Sequence, residues 1–326
     1  MRTVTTSIEN WPLKAPFSIT GKTFENVDLL VVSISDGRFE GRGEAGGVFY
    51  LGETVDRLRE QVHSIKAEIE NGLGRDRLSQ YLPIGGARNA VDCALWDLDA
   101  RRSGNNVFEL ACIPSKPVVT ANTVGIASTK AMAKQAKSVR STLIKVKLDD
   151  EKPVERITAV VEARPDAEVV VDVNGGWTIS HLANLAPELA ALGVRMIEQP
   201  LARGEDDELA AFDSPVPLCA DESCLDASEL EYAVGRYQMV NIKLDKTGGL
   251  TEALVLAKRA RTLGMQLMVG NMLGTSLAMA PALVVANLCD LVDLDGPLFL
   301  ANDRSNGLRY DSTGEVSGMN AALWGG

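Results

Sequence analysis

The spacing of apolar positions changes partway along the chain, and the change divides it. In the first hundred or so residues, period-2 runs come first and helical runs follow. Residues 2–8 read as a strand, ended by the prolines of Trp11-Pro12-Leu13 and Ala15-Pro16-Phe17. Residues 18–26 read as a loop and 27–34 as a strong strand. Ser35-Asp36-Gly37 makes a turn, and 39–44 returns as the partner of a hairpin. Val55, Leu58, Val62, Ile65 and Ile69 then share one face of a helix predicted over 54–69, which Asn71-Gly72 stops. A second helix is predicted over 87–102, with Val91, Ala94, Leu95 and Leu98 on one side and Ser103-Gly104 as its glycine cap. Strands first and helices after describe a small α+β unit.

From Pro117 onward, short β-branched runs alternate with alanine- and leucine-rich helical patterns. Strands are predicted at 118–124, 143–148, 168–173, 194–198, 218–221, 239–244, 266–270 and 291–295. Helical periodicity lies between them at 129–140, 153–162, 180–192, 227–234, 251–263 and 276–285. Eight βα-type repeats suit a closed parallel barrel better than a doubly wound sheet. Val124-Gly125-Ile126-Ala127 also lacks the glycine fingerprint that a doubly wound sheet often carries after its first strand. The expected organisation is an N-terminal α+β cap over 1–113, a barrel over 114–305, and a polar, glycine-rich tail over 306–326 that returns to the cap.

The strand at 143–148 carries two lysines, Lys145 and Lys147, at i and i+2, so both point from one face. Taken alone, that is what a solvated edge strand presents. The later strands supply a reason to bury the pair. Asp172, Glu198, Asp221 and Lys243 each end a predicted strand, at successive spacings of 25, 26, 23 and 22 residues counted from Lys147. Each spacing is about one βα unit, so all converge at the C-terminal mouth of a barrel. Three converging carboxylates repel, and one divalent cation relieves the repulsion. All-oxygen ligation favours Mg2+, or Mn2+, over softer ions. His63 and His181 are the only histidines, and neither ends a strand, which argues against zinc. Lysines on two sides of a cation suit removal of a weakly acidic proton next to a carboxylate and its return on the other face. Burial beside other cations is expected to depress a lysine pKa and make it a base.

Bulk properties narrow the partners. The formal charge of −11 and pI near 4.9 disfavour nucleic acid and anionic membranes, while a small anionic substrate remains compatible with a locally positive site. Five cysteines show neither a disulfide framework nor metal-finger spacing. No basic region followed by an apolar run opens the chain, and apolar runs are too short to span a bilayer, so a cytoplasmic protein is expected. The oligomeric state is left open, a homo-oligomer included.

On the Lys-x-Lys pair, the three spaced carboxylates and Asn-x-Lys, the chain resembles the enolase superfamily, within its muconate-lactonizing group. Among these it is most similar to the dipeptide epimerases. The resemblance implies a (β/α)7β barrel with a capping domain, and Mg2+ held by Asp172, Glu198 and Asp221. It implies acid/base roles for Lys147 and Lys243, with Lys145 supporting the substrate carboxylate. It places Asn174, Asp245 and Lys246 behind these groups. Asp293-Leu294-Asp295 matches an Asp-x-Asp that receives a substrate ammonium in dipeptide epimerases, and two carboxylates at i and i+2 fit a cationic amine. Residues 270–276, with Asn271, Met272 and Thr275, resemble a substrate-facing loop. In glutamate-handling relatives an arginine in an early loop meets the side-chain carboxylate. Here that loop reads Ile19-Thr20-Gly21-Lys22-Thr23-Phe24, leaving Lys22 as a point charge, or Phe24 as a contact for a more apolar residue. Gly46-Gly47 to Leu51-Gly52 is expected to form the other lid loop.

The implied function is interconversion of L-Ala-D-Glu and L-Ala-L-Glu, with a role in recycling cell-wall peptides. Other dipeptide specificities, o-succinylbenzoate synthesis, N-acylamino acid racemisation and muconate cycloisomerisation use related machinery. The Asp-x-Asp pair favours a free amine over the last three. An inactive binding protein would show a broken carboxylate triad or a missing lysine, and neither is seen.

Overall fold

The computed structural model describes residues 2–317 and 319–326. The cap opens with an antiparallel sheet of β1 (Thr3–Ile19), β2 (Lys22–Ser35) and β3 (Glu40–Ala45), in that order. The prolines do not end β1. The pairing register slips between Pro12 and Phe17, and β1 is an edge strand, where residues without an N–H are tolerated. The loop predicted over 18–26 is instead a tight hairpin: Ile19 pairs with Lys22 across Thr20-Gly21, and Gly21 takes φ 74°. Lys22 and Phe24 therefore project from a paired strand end.

The helix predicted over 54–69 divides at Ile65 into α1 (Val55–Ser64) and α2 (Lys66–Glu70). Helix α3 (Gly86–Ser103) lies across the sheet and ends at Gly104 in the left-handed region, as its sequence predicts. The approach is close. A Cβ on Gly41 or Gly43 would collide with the backbone carbonyls of Ala94 or Ala90. Gly43→Ala is therefore expected to cost about 1–3 kcal/mol by overpacking, read as a lower thermal midpoint with the far-ultraviolet spectrum unchanged.

Helix α4 (Val107–Ala111), closed by a capping box of Asn106 and Glu109, leads to the second unit. The run predicted as one strand over 118–124 divides there. β4 (Val118–Val119) leaves the barrel and pairs elsewhere, and β5 (Asn122–Val124) begins the barrel. In chain order follow α5 (Thr129–Ser138), β6 (Leu143–Lys147), α6 (Pro153–Ala163), β7 (Glu168–Asp172), α7 (Ile179–Ala191), β8 (Val194–Glu198), β9 (Leu218–Ala220), α8 (Leu230–Val234), β10 (Met239–Ile242), α9 (Leu244–Thr247), α10 (Leu250–Thr262), β11 (Gln266–Val269), α11 (Ser276–Ala286), β12 (Leu291–Val292) and α12 (Gly296–Phe299). The strands β5 to β12 form one parallel eight-stranded sheet in sequence order. The sheet curls until its edges meet, where the Ala121 N–H donates to the Val292 carbonyl at 2.7 Å. Seven crossovers join the eight strands, and the β8–β9 crossover holds only a single-turn 3₁₀ segment, Asp207–Ala211.

One residue from each barrel strand or its first flank forms a packed floor: Ala121, Leu143, Val170, Met196, Cys219, Met239, Met268 and Leu291. Alternate residues outside the barrel, such as Ile144, Val146 and Val171, pack against the helices. The floor makes the barrel a core rather than a pore and sets the phase of everything above it.

The tail supplies β13 (Arg309–Tyr310) and β14 (Glu315–Ser317), which pair with β4. The final residues reach the cap helix. The Trp324 indole donates to the Cys93 carbonyl at 3.0 Å, and the Gly325 N–H to Asp97 at 2.8 Å. Cap and barrel are also joined where Asp92 accepts from the Thr251 N–H and hydroxyl at 2.9 and 2.6 Å. Among the described residues no helix is long and apolar enough to cross a membrane.

Candidate active site

Two residues beyond the floor, each strand's next inward position carries chemistry. Floor residues Leu143, Val170, Met196, Cys219, Met239 and Leu291 are followed at i+2 by Lys145, Asp172, Glu198, Asp221, Asn241 and Asp293. One step higher on the same faces stand Lys147, Lys243 and Asp295. All nine are buried. Strand β11 offers Gly270 at this level, because a Cβ there would lie 2.7 Å from the Asn241 amide.

The charges interlock. Lys145 Nζ lies 2.9 Å from Asp172, 2.8 Å from Glu198 and 2.8 Å from Asp293. Lys147 Nζ donates to Asp172 at 2.6 Å and to the Asn174 side-chain oxygen at 3.0 Å. Lys243 Nζ donates to Asp221 Oδ2 at 2.6 Å. Strands β6 and β10 stand four apart in the ring of eight, so Lys147 and Lys243 face the cavity from opposite walls. Asn174 takes φ 48° and Gln199 φ 38°, a strained backbone conformation for both. Gln199 accepts the N–H groups of Asp221 and Ser223 at 2.9 and 3.0 Å, which aims the Asp221 carboxylate.

With no cation among them, the carboxylates govern the lysines. Burial works to lower the Lys243 pKa, but Asp221 and Glu198 outweigh it, and the net shift is upward. Lys145 behaves the same way, with burial overcome by Asp172, Asp293 and Glu198. Here the lysines are held charged because carboxylates, not other cations, surround them. Burial pushes Glu198 up, with the Asp172 charge adding to it. Burial also opposes ionisation of Asp221, but Lys243 and Lys246 hold it below the usual carboxylate range.

Among the described residues no three metal-binding side chains stand preassembled around a vacant centre. The Lys145 ammonium lies where the carboxylates converge. The donor set nonetheless fits a hard cation. Glu198 Oε2 and Asp221 Oδ1 are buried and accept no hydrogen bond, although an ammonium lies 2.8 Å from each. Their lone pairs are open, and every candidate donor is oxygen, as a hard divalent ion prefers.

The N-terminal model of the mandelate racemase/muconate lactonizing enzyme family matches residues 1–111, and the enolase C-terminal domain-like model matches residues 129–301. The chain belongs to the enolase superfamily. It is 44% identical to the L-Ala-D/L-Glu epimerase of Escherichia coli over 97% of this chain and 99% of that one. It is 42% identical to an N-acetyl-D-glutamate racemase of Pseudoalteromonas over 91% and 95%. An enolase family member from Agrobacterium tumefaciens, solved with sodium and L-Ala-L-Glu, superposes with a TM-score of 0.96 at 40% identity over all of both chains.

Within this enolase-superfamily barrel, the inner cavity is lined by Lys145, Lys147, Lys243, Asp293, Asp295, Asn174, Asn271, Met272 and Phe24, among others. Asp295 accepts the Thr123 N–H at 2.7 Å, and Asn271 donates to the Asp293 carbonyl at 2.6 Å. Two predicted contacts lie elsewhere. Thr275 does not line the cavity. It caps α11, and its N–H and hydroxyl donate to Glu44 of β3 at 2.8 and 2.6 Å, so it joins barrel to cap. Lys22 lines the outer cleft, its ammonium 4.6 Å from the Phe24 ring centre and 4.3 Å from that of Phe49. Asp245 does not back a carboxylate of the ladder. It accepts the Gly47 N–H at 3.0 Å, tying the Gly46-Gly47 loop of the cap to the turn after Lys243.

The sequence reading also missed cavity residues. Glu222 holds the Asn174 amide at 3.3 Å, and its other oxygen is unpartnered. The Tyr50 hydroxyl is buried without a partner, and Phe17 packs tilted against Phe299 with ring centres 4.4 Å apart. Glu222 was detectable as the residue after Asp221 in Asp-Glu-Ser. The aromatic residues carry no local signal, because cap and barrel loops assemble them from distant segments.

Proposed function

We propose that this chain epimerises the C-terminal residue of a dipeptide with Mg2+ as cofactor, L-Ala-D-Glu and L-Ala-L-Glu being the substrate pair. The observation that carries this reading is the placement of Lys147 and Lys243 on opposite walls of one cavity, with the carboxylate array between them. Asp172, Glu198 and Asp221 are the residues that would hold Mg2+ (or Mn2+), which supplies positive charge to the carboxylate next to the reacting carbon. Lys145 binds that carboxylate from the β6 side. Asp293 and Asp295 receive the α-ammonium: Asp293 Oδ1 is buried and lacks any hydrogen bond. A cation among the carboxylates would take up the negative charge that otherwise holds the lysines as ammoniums; one lysine, then a free amine, takes the α-proton while the electron pair moves into the carboxylate. The other lysine, entering as the ammonium, gives a proton to the opposite face of the same carbon. Asn174 orients Lys147. The second residue's side chain extends toward Phe24 and Met272, with Lys22 beyond as the charge for a glutamate.

The test is α-proton exchange in D2O with Mg2+, followed by NMR, over a panel of L-Ala-L-Xaa dipeptides and N-acetyl-L-glutamate. L-Ala-L-Glu is expected to exchange about 100-fold faster than N-acetyl-L-glutamate, which has no ammonium to offer the buried Asp293 and Asp295 carboxylates. Faster turnover of N-acetyl-glutamate would replace this reading with amino acid racemisation, the activity named for the Pseudoalteromonas relative. Preference for an aromatic or cationic second residue would keep the dipeptide and discard glutamate.

A further inference from the structure

Lys246, in α9, is the fourth lysine of the site and behaves unlike the other three. Its side chain is fully enclosed. Its Nζ lies 2.5 Å from the Asp221 carbonyl, 2.8 Å from the Asn241 carbonyl and 3.0 Å from the Cys224 carbonyl. An ammonium has three N–H groups, and these three carbonyls take them all. Asp221 Oδ1 is 2.8 Å away yet receives no hydrogen bond. Lys246 is thus anchored by backbone carbonyls and sets its charge in contact with the carboxylate.

Lys145 and Lys243 differ in this respect. Their hydrogen bonds end on carboxylate oxygens, Asp293 Oδ2 and Asp221 Oδ2. A cation that takes the carboxylates frees those side chains to turn toward substrate. Lys246 has no such freedom, since its carbonyl partners remain where they are. Its positive charge stays beside whatever Asp221 binds, and like charges at this range repel appreciably in a buried site.

We propose that Lys246 is a fixed counter-charge that holds Asp221 in place before a cation arrives and weakens cation binding afterwards, keeping it reversible. This rests on the reading of Asp221 as a metal ligand. It makes Lys246 a positioning residue, not a proton mover.

Calorimetric titration of Mg2+ into wild type, Lys246→Met and Lys246→Gln tests it, with thermal unfolding of each protein in chelator and in Mg2+. Glutamine keeps a donor for the carbonyls and removes the charge. Both variants are expected to bind Mg2+ roughly tenfold or more tightly. Their metal-free midpoints should fall, and Mg2+ should recover most of the loss. Should Lys246→Met fold only with Mg2+, the dependence of its midpoint on Mg2+ concentration supplies the affinity, and tighter binding is again the expected result. Unchanged or weaker binding in both variants would overturn the proposal and reduce Lys246 to a brace for the turn. A wild-type protein that takes up no Mg2+ would overturn the metal reading and this inference together.

Discussion

Lys243→Met protein should lose epimerisation by about 10²–10⁴-fold, the usual worth of a positioned general base, yet still exchange the α-proton of one epimer with D2O. Lys147→Met should show the mirror image, exchanging the other epimer. The reason is geometric: the two ammoniums stand on opposite walls, so each reaches one face of the α-carbon. Inverting the centre needs both, whereas washing out a proton on one face needs one. The fold should survive either change. Without Lys243, Asp221 keeps Lys246 at 2.8 Å; without Lys147, Asp172 keeps Lys145 at 2.9 Å. Neither carboxylate is left buried and alone, which is the costly outcome. NMR of each pure epimer in D2O with Mg2+ reads the result directly. Equal loss of exchange from both epimers in each single variant would remove the two-lysine mechanism.

The charged ladder was legible in the sequence because a strand has period 2. Once the floor residues face inward, Lys145, Asp172, Glu198, Asp221 and Asp293 must face inward above them. Regular βα spacing then brings residues far apart in sequence to one barrel mouth. The hairpin tip was hidden for the opposite reason. Two prolines and a glycine imitate a loop, while an edge strand with a register slip absorbs them. Thr275 looked like part of a substrate loop because its partner, Glu44, is 231 residues away and leaves no local mark. The depressed lysine pKa expected from the sequence belongs to a site with a cation in it, whereas the carboxylates alone act in the other direction. Ammoniums placed among carboxylates are stabilised as ammoniums.

Arg304→Met should be the most damaging single change outside the cavity. Glu44 of β3 is wholly buried, and Arg304 is its only salt-bridge partner among the described residues, with Nη2 at 2.6 Å and Nε at 2.9 Å. The same guanidinium reaches Glu9 of β1 at 2.7 Å and the Thr275 hydroxyl at 2.7 Å. One side chain thus ties two cap strands to the start of α11. Removing one partner of a buried pair costs about 3–5 kcal/mol. At roughly 2–4 °C per kcal/mol for large domains, the midpoint should drop by on the order of ten degrees. The loss should depend on pH in a definite direction. Burial already holds the Glu44 carboxyl above its ordinary range, with Arg304 pulling it back. Without Arg304 it rises further. A carboxyl raised on folding favours the folded state while protonated, and that contribution is lost as pH rises through the folded value. The deficit relative to wild type should therefore be greatest at pH 8 and shrink toward pH 5. Adding Glu44→Gln to Arg304→Met should recover part of the loss at pH 8, since it removes the unpaired charge and keeps the shape. A deficit that stays constant with pH, or a double variant no better than the single, would mean that packing rather than charge joins cap to barrel here. Because Thr275 follows directly on the loop bearing Asn271 and Met272, the KM for dipeptide should rise in Arg304→Met more than kcat falls.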